Sequence, residues 1–169
     1  MYQFPEGFYT DVREETVHAT TITIENGVLK ENKTKKEQGV IIRLYDGRRW
    51  YISSTTESGK VQQEIDSLAG MAVFCPNIED DPVVKKYEIN QEVQLRYKGC
   101  DVSLVPNAWK LAVAEQYADC LKACEKIPRW KVYYVDNHTR KHIVSSKGCD
   151  VTFDTQNCCI AVRHVLMKE

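Results

Sequence analysis

Four histidines and seven cysteines are the residues of this chain best suited to holding a metal ion. His18, His138, His142 and His164 are followed by Ala19, Thr139, Ile143 and Val165. A helical zinc hydrolase places a Glu directly after its first His, as the base that takes a proton from metal-bound water, and a second His about one helical turn on. No such grouping occurs. His138 and His142 have the four-residue separation of a helical pair. Their surroundings read as a hairpin, however, and along a strand four residues span about 13 Å at roughly 3.3 Å each, too far to share one ion. They read as structural residues. Cys120 and Cys124 also lie one helical turn apart, but a zinc site wants two further ligands, and an unpaired Cys commonly packs as a small apolar side chain. Adjacent Cys158 and Cys159 point to opposite faces of a strand. An odd cysteine count, no C-x-x-C and a start, "MYQFPEGFYTDVREE", without a basic or an apolar leader segment argue for reduced thiols. Spacing assigns no catalytic and no metal residue, and leaves substrate-binding residues unknown.

The elements that carry these residues alternate. Lys plus Arg (23) nearly cancels Asp plus Glu (24), so no overall field draws nucleic acid or a membrane surface. The apolar runs are too short for a helical membrane span, and a cytoplasmic location is the default expectation. "TVHATTITI" over Thr16 to Ile24 predicts a strand with Ile22 and Ile24 on one face. "ENG" at Glu25 to Gly27 predicts a tight hairpin into a polar strand, Val28 to Glu37. There Lys30, Lys33, Lys35 and Lys36 alternate with Glu31 and Glu37 as edge protection rather than a nucleic-acid patch. Gly39 then leads "VIIRLY", Asp46-Gly47 supplies a second hairpin turn, and "RRWYISS" returns, with Trp50 and Tyr51 on opposite faces. A short amphipathic helix follows near Lys60 to Met71, with Val61, Ile65, Leu68, Ala69 and, just past its end, Ala72 at the spacing of one helical face.

From Cys75 to Gly99 the periodicity fades, and the stretch reads as a surface linker. A long helix from Asn107 to Lys126, bounded by Pro106 and Pro128, presents Trp109, Val113, Tyr117, Leu121 and Cys124 at helical spacing, predicting these as its buried face. Asp101, Glu115 and Glu125 read as ordinary turn and helix carboxylates. Beyond the helix come a strand, a turn at Asp136 to Thr139, a return strand, a turn at Ser-Lys-Gly-Cys and a final strand, Val151 to Met167. The fold class is α+β: antiparallel sheets of meander and hairpins packed with one short and one long amphipathic helix. The expected organisation is a meander plus helix over residues 1–74, a linker over 75–99, and the long helix, hairpin and final strand over 100–169.

In order, "TDVREE", "ITIENGVLKE", "GVIIRLYDGRRWYISST", the helix "VQQEIDSLAGMA", then "DVSL" before a long helix and "VYYVDNHTRKHIVSSKGCDV" resemble the N-terminal region of TldD/PmbA-type proteins, peptide-processing zinc metalloproteases also called modulators of DNA gyrase. The resemblance implies a hydrolase of peptides or unfolded segments, active in peptide maturation and proteolysis. Its zinc is held by an H-E-x-x-x-H helix and a distant Cys, with the Glu as general base. None of these residues can be placed here. The resemblance thus implies a non-catalytic N-terminal region with no cofactor of its own, zinc belonging to the full-length protein. Its expected partners are an extended peptide and TldD/PmbA-type subunits in a homo- or hetero-oligomer. The final strand would lead toward a metalloprotease domain absent from these residues. The alternatives are a stand-alone interaction module or partner subunit related to that family, and an unrelated α+β binding domain.

Overall fold

The computed structural model describes residues 2–167. Its elements are β1 (Tyr9–Glu25), β2 (Val28–Tyr45), β3 (Trp50–Thr55), α1 (Val61–Met71), α2 (Pro82–Lys85), β4 (Gln91–Gln94), α3 (Asn107–Lys122), β5 (Arg129–Ser145) and β6 (Asp150–Val165). The strands form one sheet in the order β3-β2-β1-β5-β6-β4, and the fold is α+β as the sequence predicts. Asn26 and Gly27 both adopt positive φ (47° and 80°), the two-residue turn that matches strand twist and sets β2 back against β1. β2 pairs antiparallel with β3 from Val40↔Thr55 to Tyr45↔Trp50, completing the expected meander. The sheet is not wholly antiparallel, because β4 lies parallel to β6, from Gln91↔Asp150 to Gln94↔Phe153.

Contacts gather into two compact units that interleave along the sequence. The first holds residues up to Thr16, Gln38–Arg96 and Arg140–Asp154. Here alternation in β1 and β2 turns Val12, Val40, Ile42 and Leu44 to one face, where Val61, Ile65 and Leu68 of α1 cover them. Tyr9 and Tyr45 point to the other face and pack on Ile78 and Val84. The stretch read as a linker therefore supplies buried side chains, along with α2 and β4. Asp81 caps α2 by accepting from the backbone N–H of Val83 at 2.7 Å, with Pro82 at the first helical position, where a missing N–H costs nothing.

The second unit holds Val17–Glu37, Tyr97–Thr139 and the residues from Thr155 on. Ile22 and Ile24 share a face, as expected, with Trp130, Val132 and Tyr134 of β5. α3 covers them with a different stripe from the predicted one. Lys110, Ala114 and Ala118 are buried, whereas Trp109 is 71% exposed, Tyr117 is 47% exposed and Val113 lies on the same open side; Leu121 is half-buried. Small side chains let the helix approach the sheet closely, and the large apolar residues are left on its outer face. The turn expected at Asp136 to Thr139 is absent: β5 runs straight through it, with Asp136 and His138 buried. Asp and Asn favour turns where they can bond their own backbone, but here Asp136 has stronger partners across the unit.

Candidate functional site

A groove of about 520 Å³ opens in the first unit. Its floor is Phe8 and Tyr9, where β1 begins, and its walls are the segments Phe4–Gly7 and Phe74–Asp80, apart from Cys75. Val84 of α2 and Ser146 and Lys147 of the β5–β6 turn close it. The walls are irregular backbone and need ties of their own. The N–H of Cys75 donates to the Gly7 carbonyl at 3.2 Å, joining the two wall segments. Gly7 has φ +79°, and a Cβ there would stand 2.4 Å from the Phe74 ring, so only glycine lets that ring lie flat on the chain. Phe74 also meets Phe8 edge-on, with centroids 6.3 Å apart.

Asp46 anchors the same wall from behind. The β2–β3 connection is four residues rather than a two-residue turn, and the Asp46 carboxylate organises it. It accepts from the N–H of Arg48 at 2.9 Å and of Arg49 at 2.7 Å, from the Tyr51 hydroxyl at 3.2 Å and from the N–H of Val73 at 3.3 Å. Burial alone would raise its pKa, but these donors together hold it below the ordinary carboxylate value. A carboxylate depressed in the folded state contributes stability that is present above its unfolded pKa and is lost as pH falls through the folded one. Acidification below the ordinary carboxylate range is therefore expected to release Val73 and loosen the Phe74 wall. The protection factors of the Val73 and Phe74 amides, each rate taken relative to intrinsic exchange at the same pH, should be high near neutrality and lower at low pH; Asp46→Asn should abolish that change.

Behind the groove lies a charged and aromatic cluster. Asp11, on the Tyr9 face of β1, receives Arg43 Nη2 at 2.6 Å and Arg43 Nε at 3.0 Å, with Arg13 Nε at 3.1 Å. That hydrogen bonding holds the Arg43 guanidinium above its ordinary pKa. The guanidinium lies 4.9 Å over the Trp50 ring, Trp50 stacks on Tyr45 at 4.9 Å, and Tyr9 stacks on Tyr87 at 4.6 Å. Trp50 and Tyr51 are both half-buried, and Trp50 works inside this cluster.

In the second unit, the Lys110 ammonium reaches Asp136 Oδ2 at 2.7 Å and donates to Thr20 Oγ1 at 3.0 Å. The Tyr134 hydroxyl donates to the same Asp136 oxygen at 2.6 Å, and its pKa is raised, first by burial and then by that bond. His138 Nδ1 stands 3.4 Å from Asp101, so Asp101 is a partner rather than an idle turn carboxylate. In the first unit His142 Nε2 meets Asp150 Oδ1 at 2.9 Å. Glu115 lines a smaller cavity beside α3 with Asp119 and Lys122, and Glu125 is exposed beyond the helix. All seven cysteines are free thiols; Cys120, Cys124, Cys158 and Cys159 are exposed. Lys30, Lys33, Lys35 and Lys36 are exposed on β2.

Among the described residues no group of three or more His, Cys, Asp and Glu is placed to hold a metal ion. No described helix is long and apolar enough to cross a membrane. The sequence reading missed Asp11, Arg43, Asp46, Lys110 and Asp136. Asp46 and Asp136 carried local signals, and both pointed to turns rather than to anchors.

The fold places the chain among α+β proteins already solved. One, named a modulator of DNA gyrase, from Bacteroides thetaiotaomicron, matches with TM-score 0.70 and 16% identity, over 95% of this chain and 38% of that one. Another so named, from Thermotoga maritima, matches with TM-score 0.66 and 17% identity, over 95% and 39%. TldE from Thermococcus kodakarensis matches with TM-score 0.68 and 16% identity, over 95% and 36%. The chain thus spans less than two-fifths of the length of these relatives. A search of curated proteins finds no match. Residues 10–74 match the family model of PmbA/TldA metallopeptidase domain 1.

Proposed function

We propose that this chain is the N-terminal, non-catalytic region of a TldD/PmbA-type zinc metalloprotease of the cytoplasm, and that it admits and holds an extended peptide for cleavage elsewhere in the protein. The observation that carries the reading is the match of residues 10–74 to the family's first metallopeptidase domain. Two features of the fold support a peptide-holding role. β3 covers β2 only from Val40 to Tyr45, and β4 covers β6 only from Asp150 to Phe153. The rest of β6 lies at the border of the sheet order, where an extended chain can add by main-chain hydrogen bonds at little cost in sequence specificity, whereas the rest of β2 carries the lysines that guard its edge. The groove beside β1 adds side-chain contacts.

Zinc and activity test this together. The chain alone, stripped of metal and re-exposed to zinc, is expected to retain less than one zinc per molecule and to cleave no peptide. The product of the gene's whole reading frame is expected to bind zinc and cleave unfolded polypeptide. One tight zinc on this chain, lost in His138→Ala or His142→Ala, would overturn the non-catalytic reading. A whole reading frame that neither binds zinc nor cleaves would replace it with the partner-subunit reading.

A further inference from the structure

We propose that the groove of the first unit is a subsite for an arginine side chain carried on an extended peptide, an inference that rests on the peptide-holding reading above. At about 520 Å³ the groove is of the size that encloses ligands, and it has room for flanking backbone as well as one long side chain. Its apolar lining includes the rings of Phe4, Phe8 and Phe74 beside the aliphatic Ile78 and Val84. Phe74 is 61% exposed yet fixed, lying against Gly7 and edge-on to Phe8, so its open face is in place before a ligand arrives.

Three carboxylates lie on the same lining: Glu6, Glu79 and Asp80. Asp80 is already paired with Lys85 at 2.9 Å. Among the described residues Glu6 and Glu79 have no ion-pair partner. The one basic residue of the lining, Lys147, turns its ammonium to the carbonyl oxygens of Val84 and Tyr87 rather than to these carboxylates. A ligand that fits both surfaces carries a positive charge on a flat, weakly hydrated group at the end of an apolar stem. A guanidinium stacks on aromatic rings and offers paired N–H donors to a carboxylate, whereas an ammonium is a more strongly hydrated point charge that does neither as well. An acidic side chain would meet Glu6 and Glu79 without compensation.

The test uses fluorescent Gly-Ser nonapeptides with one central residue: arginine, its neutral isostere citrulline, or glutamate. Anisotropy titrations are run against the chain and against its Glu79→Gln and Phe74→Ala variants. Glu79 is exposed and its substitution should leave thermal melting unchanged, whereas Phe74→Ala gives up the edge-on contact with Phe8 and should lower it slightly; a variant still folded at the assay temperature that loses binding has lost a ligand contact. The arginine peptide is expected to bind about tenfold or more tighter than the citrulline peptide, and each variant to reduce that preference about tenfold. Equal affinity for arginine and citrulline, or indifference to both substitutions, would overturn the subsite while leaving peptide holding intact. No binding of any nonapeptide, together with no binding of a longer unfolded polypeptide, would overturn both.

Discussion

Lys110→Ala is expected to destabilise the protein by about 3–5 kcal/mol, the usual cost of stranding one partner of a buried ion pair. Lys110 is 4% exposed and Asp136 2% exposed, and the 2.7 Å contact between them sits beneath α3, where water cannot replace the missing ammonium. The Tyr134 hydroxyl would remain as a donor to Asp136, yet one neutral hydrogen bond does not compensate a buried carboxylate. The double variant Lys110→Met/Asp136→Leu removes both charges and keeps most of the volume, so it should recover most of the loss. Urea unfolding of the two single variants and the double decides the matter. A single-variant loss below about 1 kcal/mol would mean that the pair is hydrated or unformed.

Asp11→Ala should cost about 2–3 kcal/mol, from loss of the charge-assisted bonds to Arg43 and of the carboxylate that holds its guanidinium over Trp50. The figure is smaller than for Lys110 because Arg43 is 22% exposed and regains some water once released. Trp50 fluorescence should change along with stability, since the cation 4.9 Å from its ring is freed. An unchanged emission spectrum with an unchanged midpoint would show that the cluster contributes nothing.

The meander was legible because its signals are local. Asn26-Gly27 takes the positive φ that its residue types favour, and Val40, Ile42 and Leu44 alternate with a more polar face. α3 was legible as a helix but not as to its buried side. Its sequence offers two stripes, Trp109-Val113-Tyr117 and Lys110-Ala114-Ala118, and a burial scale favours the first because lysine is seldom buried unless paired. The partner that makes the second stripe possible, Asp136, lies in β5, inside a stretch whose composition imitates a turn. The groove was hidden for a related reason. Its walls are aperiodic segments whose residues Gly7 and Cys75 are far apart in sequence and joined by a single backbone hydrogen bond, so no window of sequence contains the site. In the same way, Ile78 and Val84 are buried in a stretch that looked like linker because its apolar residues follow no single period.

The most direct test of the account is calorimetric titration of this chain with a permanently unfolded, reduced and alkylated polypeptide, beside the same polypeptide folded. Saturable binding to the unfolded form alone is expected, weakened when the chain carries Phe74→Ala. Absence of binding to the unfolded form, or equal binding to both, would contradict a region built to hold extended peptide.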